Sequence, residues 1–165
     1  MLKIRTIKKT AAPRLANRST LVKVLYDIAR LTGIAEKYNT AGCRYELVVA
    51  MIGRRTMKRL NTTFLGHNWD TDVLAFNLDE PMTQAAEETV QTIGEIYLCP
   101  AIGEQAAKQY NTTIARELTL YAIHGMLHLA GMTDASPPER AIMQERQEDI
   151  LSELQTRHNL EEIFE

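Results

Sequence analysis

The strongest indication of the fold is the stretch Leu118-Thr-Leu-Tyr-Ala-Ile-His124-Gly-Met-Leu-His128-Leu-Ala-Gly-Met132. It is the longest apolar-rich stretch of the sequence, and two histidines interrupt it. A helix that is apolar on nearly all sides is buried in the protein interior, so we predict a central helix over residues 113–130. Gly131 is suited to end this helix, because glycine readily adopts the left-handed backbone conformation that follows many helices.

The two histidines of this helix can bind one metal ion. His124 and His128 are four residues apart, so their directions differ by roughly 40° and their Cβ atoms lie about 6 Å apart. Both imidazoles can then reach one zinc ion at about 2.0–2.1 Å. Asp134 lies in the short connection after Gly131 and can reach the same ion from another direction. Three protein ligands with one open position are typical of a catalytic zinc site.

Two other interpretations of the histidines stay open at this point. Pairs of this spacing also occur as surface residues or as satisfied core residues. Imidazoles on a buried helix need polar partners, however, and a shared metal ion supplies one. A zinc peptidase of the HExxH type is disfavoured, because Gly125 occupies the position of the glutamate that serves as general base.

Hydrophobic periodicity predicts the rest of the fold. Four strands are predicted, over residues 2–9, 44–52, 72–78 and 93–99. Besides the central helix, helices are predicted over residues 19–32, 54–64 and 101–110 and from Ser136 onward. Residues 82–91 are ambiguous. Because strands come early and helices late, we expect one α+β domain over residues 1–165, with a small mixed four-stranded sheet, about five helices and the zinc-site helix at the centre.

Several residues predict where these elements begin and end. Ser19 is an expected N-cap, and Gly33 and Gly66 are expected helix stops. Pro100 is expected to end the fourth strand. The segment Ser136-Pro-Pro-Glu139 combines an N-cap, a proline at the first helical position and a capping box, which is a strong helix start.

Charge is distributed unevenly along the chain. Residues 1–60 contain 14 Lys+Arg and 3 Asp+Glu, and residues 61–165 contain 5 and 18. The balances of +11 and −13 add up to the net charge of −2. This asymmetry indicates either a basic surface for a polyanion or two halves that neutralise each other in the folded protein.

The remaining composition indicates a cytoplasmic protein. The two cysteines, Cys43 and Cys99, are far apart in sequence and form no CxxC motif, so we expect reduced thiols. No apolar run reaches the roughly 18 residues needed to span a membrane. The N-terminus has no apolar segment of the kind found in signal peptides.

Three segments resemble the YbeY endoribonuclease family. His124-Gly-Met-Leu-His128-Leu-Ala-Gly131 matches the family pattern His-Gly-x-Leu-His-Leu-x-Gly at every position. Residues 60–76, which read Leu-Asn-Thr-Thr-Phe-Leu-Gly and later Thr-Asp-Val-Leu-Ala-Phe, are similar to a second family segment. Gly94-Glu95-Ile96 is similar to its Gly-Asp-Ile strand. The likeness runs from about residue 45 to residue 155, with the segments in the family's order.

Two positions depart from the family pattern. The family's third metal ligand is usually histidine, and this position is Asp134. Aspartate is a competent zinc ligand, but its negative charge should make the ion a weaker Lewis acid. The family places an arginine that is thought to face the RNA where this chain has Leu65. Arg55 and Arg59, which are four residues apart on the preceding helix, can replace this contact or can simply form a solvated helix face.

The resemblance implies an enzyme with one Zn²⁺ per chain, in which His124 and His128 are the catalytic ligands. It implies a single-strand-specific endoribonuclease that acts in small-subunit rRNA maturation and ribosome quality control. Ribosomal RNA and small-subunit proteins are the expected partners. The alternative is a ribosome-associated binding factor whose catalysis is weak or lost. Further candidates are Glu95 and Asp72 as bases or supporting groups, and Trp69, which either stacks on a nucleobase or pins its loop to the core.

Overall fold

A computed structural model gives the structure of residues 1–78 and 90–165. Its strands are β1 (Leu2–Lys8), β2 (Arg44–Met51), β3 (Val73–Asn77) and β4 (Val90–Leu98). Its helices are α1 (Arg18–Leu31), α2 (Ile34–Lys37), α3 (Arg54–Leu65), α4 (Pro100–Tyr110), α5 (Ile114–Leu129) and α6 (Pro137–Arg157), followed by a 3-10 turn at Leu160–Glu162. The predicted α+β class is confirmed. The four-residue α2 is an addition, since it is too short to show a hydrophobic period. Of the ambiguous residues 82–91, the first eight lie outside the described residues, and the last two belong to β4.

The sheet is mixed, as predicted. Its strand order is β1-β2-β4-β3. Strand β2 runs parallel to both of its neighbours, β1 and β4, whereas β3 runs antiparallel to β4. Val73, at the start of β3, pairs with Leu98 at the end of β4. The loop that precedes β3 therefore lies at the same end of the sheet as the carboxyl ends of β2 and β4.

Helix α5 is the central helix of the protein, as its apolar sequence predicts. It packs against β3, β4, α1, α4 and α6, and eleven of its 16 residues are buried. The main core joins α5, α1 and α6 to the face of β2 that carries Leu47, Val49 and Met51. Helix α3 covers the other face of the sheet, where Met57 packs in a smaller core with Leu74.

Two glycines allow α5 to lie close to the sheet. A Cβ atom on Gly125 would lie 2.9 Å from Cγ2 of Ile96 in β4. A Cβ atom on Gly94 would lie 2.9 Å from Cδ1 of Leu129 in α5 and 3.0 Å from a carbonyl oxygen of β3. Real Cβ atoms do not approach this closely, so each glycine provides space for the other element. The two glycines come from two of the three segments that resemble the YbeY family.

The structure corrects one predicted boundary and confirms two others. Asn17 caps α1, not Ser19, because the side-chain oxygen of Asn17 accepts a hydrogen bond from the Thr20 backbone N–H at 3.0 Å. Pro100 does more than end a strand, since it occupies the first turn of α4. The capping box formed by Ser136 and Glu139 starts α6 as predicted. Within the described residues, no helix combines the length and apolar character that crossing a membrane requires.

Candidate metal centre

Three predicted ligands meet at one place beside β3. His124 and His128 project from the last two turns of α5, and Asp134 comes from the connection to α6. One ligand atom from each residue lies within 4.8 Å of the other two. The structure therefore brings together the complete ligand set that the sequence predicts, and this group could hold a metal ion.

The distances among the three ligand atoms fit a zinc ion. The two histidine Nε2 atoms are 2.9 Å apart, and Oδ2 of Asp134 lies 3.8 Å from each of them. A triangle with these sides has its centre about 2.1 Å from every corner. This value matches the zinc–nitrogen and zinc–oxygen bond lengths of about 2.0–2.2 Å.

The hydrogen bonds of the two imidazoles direct bare lone pairs to this centre. Nδ1 of His124 lies 2.6 Å from the side-chain oxygen of Gln147 in α6. Nδ1 of His128 lies 3.1 Å from the Met132 carbonyl oxygen. Because both oxygens can only accept, each Nδ1 carries the proton and each Nε2 keeps its lone pair. Two lone pairs and one carboxylate oxygen that face each other repel, and a bound cation removes this repulsion. The donor set thus suits a divalent cation.

The connection from α5 to α6 places Asp134. Gly131 adopts the left-handed conformation, with φ of 99°, and turns the chain back so that the Met132 N–H donates to the Leu127 carbonyl oxygen at 3.0 Å. The Arg140 guanidinium donates to the carbonyl oxygen of Asp134 itself at 3.1 Å. Both ends of the connection are therefore fixed, which limits the positions that the carboxylate can reach.

The centre lies in an open groove of about 450 Å³. The groove is lined by the three ligands, by Gly125, by Leu65 at the end of α3 and by residues 71–75 of β3 and its preceding loop. The side chains of His124 and His128 are 27% and 31% exposed, so a substrate can reach the centre from solvent. Metal centres with three protein ligands in an accessible groove are typical of catalytic rather than structural sites.

The position after the first histidine cannot supply a peptidase base. A side chain at Gly125 would collide with Ile96 of β4 at its first carbon atom. The glutamate of an HExxH peptidase therefore has no room in this structure, which argues against the peptidase interpretation.

Two candidate acidic residues have structural roles. Glu95 accepts a hydrogen bond from the Tyr97 hydroxyl at 2.6 Å, on the sheet face that α3 covers. Burial and this hydrogen bond raise the pKa of Tyr97 to about 12, so the phenol keeps its proton and continues to donate. Asp72 lines the groove. Its carboxylate accepts a hydrogen bond from the backbone N–H of Val73 at 2.8 Å, which stabilises the turn into β3.

The predicted RNA-contacting arginines lie on α3, outside the groove lining. Arg55 and Arg59 are exposed, and neither forms an ion pair with any residue of the described ranges. Arg54, in contrast, pairs with Asp70 at 3.1 Å and contacts Gln105. Arg55 and Arg59 therefore retain charge for a ligand, whereas Arg54 is engaged within the protein.

Sequence reasoning misses the groups that orient the ligands. Gln147 is 23 residues from His124, and nothing in its sequence context distinguishes it from other polar residues of α6. The Met132 carbonyl oxygen is a backbone atom that no residue pattern identifies. The capping box of Glu139 is recognisable in the sequence, but its bond to Thr133 in the ligand-bearing connection is not.

The chain therefore combines an α+β domain with a three-residue group that could hold a metal ion in an open groove, an arrangement that metal-dependent hydrolases use. The family described as Endoribonuclease YbeY has a sequence model that matches residues 6–155. Endoribonuclease YbeY from Elusimicrobium minutum (strain Pei191) is 31% identical over 140 residues, which cover 85% of this chain and 91% of that protein. Endoribonuclease YbeY from Chlorobium luteolum is 35% identical over 109 residues, which cover 66% and 74%.

A solved structure shows the same fold. The solution structure of TM1509 from Thermotoga maritima superposes with a TM-score of 0.59 at 26% identity, and the match covers 94% of this chain and 91% of TM1509. This chain belongs to the Endoribonuclease YbeY family. The enzyme class predicted from the sequence, a hydrolase that cuts RNA phosphodiester bonds, is confirmed at the level of the family.

Proposed function

We propose that this protein, as one domain over residues 1–165, is a zinc-dependent endoribonuclease that cuts single-stranded RNA. We further propose that it acts in small-subunit rRNA maturation and ribosome quality control. One observation carries the proposal: two imidazole lone pairs and one carboxylate oxygen converge on a point in an open groove. Family membership supports the RNA substrate. The cytoplasmic location indicated by the sequence stays a prediction.

The donor set favours zinc, at one ion per chain. Two imidazole nitrogens and one carboxylate oxygen are common zinc ligands, and calcium and magnesium prefer sites made of oxygen atoms alone. Asp134 contributes one negative charge that a histidine ligand does not contribute. The bound ion therefore has a smaller net positive charge than in the usual family site, and we expect weaker Lewis acidity.

Each residue of the centre has a separate task in this proposal. His124 and His128 hold the ion through Nε2, and their Nδ1 partners keep both rings in the required tautomer. Asp134 completes the ligand set and lowers its net charge. When bound, zinc stabilises negative charge on a phosphodiester and activates an oxygen nucleophile. The lining of Leu65 and β3 confines the RNA strand beside the centre.

Arg55 and Arg59 are proposed to contact phosphates of the RNA strand that leaves the groove. Helix α3 ends at Leu65 in the groove lining, and its rise of about 1.5 Å per residue places Arg59 about 9 Å and Arg55 about 15 Å back along the helix axis. Lys58, which is also exposed, lies between them. Contacts of this kind position RNA without reading its sequence.

A specific observation also supports the alternative of a binding factor with weak or lost catalysis. Leu65 lines the groove with 49% of its surface exposed, at a position where the family places an arginine. The groove therefore lacks one positive charge that would contact the reacting strand. In this alternative the protein binds RNA or a ribosomal protein, and the metal centre has little influence on the binding affinity.

The first test measures zinc per chain by elemental analysis on untagged wild-type protein and on Asp134→Ala. We expect about one zinc per chain in the wild type and clearly less in the variant. Asp149→Ala, which removes an exposed carboxylate of α6, is the matched control and should keep its zinc. Little zinc in the wild type after incubation with the metal would reject the catalytic proposal. Full zinc in Asp134→Ala would mean that another residue is the third ligand.

The second test separates the enzyme from the binding factor. We expect His128→Ala to lose cleavage of a single-stranded RNA while it keeps its helical circular dichroism and its RNA affinity. His158→Ala is the control, because His158 hydrogen-bonds Asp27 at 2.8 Å and is absent from the groove lining. Equal RNA binding with no cleavage by either the wild type or the variants would favour the binding factor.

A further inference from the structure

The single tryptophan of the chain is displayed at the surface beside the metal groove. The side chain of Trp69 is 59% exposed and is not part of either hydrophobic core. Its indole ring stacks on the imidazole of His67, with ring centroids 4.1 Å apart and an angle of 18° between the planes. An exposed tryptophan keeps a large apolar surface in water, so the interpretation that it pins its loop to the core is wrong.

Other residues hold the loop in place, and they leave the stacked rings free. Asn61, which is 1% exposed, donates from its side-chain amide to the Trp69 carbonyl oxygen at 2.9 Å. The Thr62 hydroxyl donates to the His67 carbonyl oxygen at 3.2 Å. The pair of Arg54 and Asp70 fixes the far end of the loop. The backbone is therefore fixed before any ligand arrives, which reduces the entropy lost on binding.

The loop that carries the stacked pair joins α3 to the lining of the metal groove, and α3 carries Arg55 and Arg59, which form no ion pair with any described residue. The residues that flank the loop, Leu65 and Thr71, both line the groove. The single proton of the Thr62 hydroxyl is shared with the carbonyl oxygen of Lys58, 2.9 Å away and one turn back on the helix that carries Arg55 and Arg59. We therefore expect an RNA strand that extends from the groove along this loop to come within reach of the stacked rings.

We propose that Trp69, backed by His67, is a stacking platform for one unpaired nucleobase next to the cleavage site. The RNA ligand is taken from the proposed function, and the platform adds a site for a base where Arg55 and Arg59 serve phosphates. Stacking accepts every base, because each base has a flat π face, and it requires that the base be unpaired. The platform thus gives a physical reason for a preference for single strands.

The first measurement uses tryptophan fluorescence, because Trp69 is the only tryptophan in the chain. Full-length protein is freed of metal with a chelator so that no cleavage occurs. It is then titrated with a 12-nucleotide oligoadenylate and with an abasic oligonucleotide of the same length. We expect saturable quenching by oligoadenylate and little quenching by the abasic strand, which offers the same phosphates without bases.

The second measurement uses variants and a fluorescently labelled oligoadenylate. We expect Trp69→Ala to weaken binding by about 5- to 150-fold and to leave the dependence of affinity on salt unchanged, because no phosphate contact is lost. Trp69→Phe should retain most of the affinity. Tyr110→Ala removes an aromatic ring that is 65% exposed at the end of α4, and this control should bind like the wild type.

The outcomes separate the platform from the proposed function. Quenching and weaker binding by Trp69→Ala, in a protein that does not cut RNA when loaded with zinc, would support the platform and reject the nuclease. If the wild type cuts RNA, its fluorescence is not quenched by oligoadenylate and Trp69→Ala binds as tightly as the wild type, the platform is rejected and the nuclease is retained. No binding of oligoadenylate by any form would also overturn the platform.

Discussion

Replacing Gly125 by alanine tests whether the metal helix owes its position to the missing side chain. The new Cβ atom would lie 2.9 Å from Cγ2 of Ile96 and 3.3 Å from Cγ2 of Val73, whereas carbon atoms pack at about 3.5–4.0 Å. Ile96 is β-branched and fully buried, so it cannot rotate away easily. Helix α5 must therefore move away from the sheet by several tenths of an ångström.

The expected change in stability follows from two opposing effects. Overpacking in a rigid core costs about 1–3 kcal/mol, and the stiffness of Ile96 favours the upper half of this range. Replacing glycine by alanine inside a helix stabilises it by about 1 kcal/mol. We therefore expect Gly125→Ala to lower the free energy of unfolding by about 1–2 kcal/mol.

Gly103→Ala is the matched control, because it makes the same chemical change within α4. Its new Cβ atom would lie 3.2 Å from Cδ2 of Leu118, the end of a flexible side chain that can yield. The helix preference of alanine should then dominate and leave the protein as stable as the wild type or more stable. Urea denaturation of metal-free proteins, followed by circular dichroism, measures both variants. Equal stability of Gly125→Ala and Gly103→Ala would refute the proposed close packing.

Three further predictions concern the centre and its supports. Gln147→Leu removes the acceptor that sets the tautomer of His124, so zinc affinity in a chelator competition should fall by about 10- to 100-fold. Gln144 is an exposed neighbour on α6, and an equal fall in Gln144→Leu would contradict this role of Gln147. Asp134→His removes a negative charge from the ligand set, so single-turnover RNA cleavage at full zinc occupancy should become faster, and a slower rate would show that the carboxylate has another task. Hydrogen bonds from Ser136 and Thr133 lower the pKa of Glu139 to about 2; its stabilising effect is therefore complete above about pH 4.5 and is lost as the pH falls towards 2. In metal-free protein, the urea midpoint of unfolding should therefore fall less for Glu139→Gln than for the wild type between about pH 4.5 and pH 2. If the midpoints of the two proteins fell in parallel with pH, this role of Glu139 would be refuted.

Much of the fold can be predicted from the sequence because its signals are local. The apolar stretch around His124 predicts a buried helix, and short runs of strand-forming residues predict all four strands. The sequence predicts Ser19 as the cap of α1 and the structure shows Asn17, because both are good capping residues and only the backbone conformation selects between them. The four-residue α2 has no period that a sequence pattern can show. Element boundaries of this kind cannot be predicted where two neighbouring residues have equal local preferences and tertiary contacts select one of them.

The ligand set of the site was predictable and its supports were not. Helical spacing places His124 and His128 on one side of a helix, and a glycine turn brings Asp134 back towards them. Gln147 belongs to another helix, so its contact with His124 depends on how α6 packs against α5. The role of Trp69 was undecided in the sequence, because a loop tryptophan can face either the core or the solvent. Its exposed fraction of 59% decides between them.

The α+β class, the buried helix and the three candidate metal ligands follow from the sequence alone, because each depends on residue types at short spacings along the chain. Tertiary packing was needed to show that the three ligand atoms lie at distances suited to one ion and that Trp69 faces solvent beside the groove. It was also needed to show that Arg54 pairs with Asp70 whereas Arg55 pairs with no described residue. These properties depend on how elements far apart in sequence pack together. Packing is set by the shapes of many side chains at once, and no short pattern in the sequence records it.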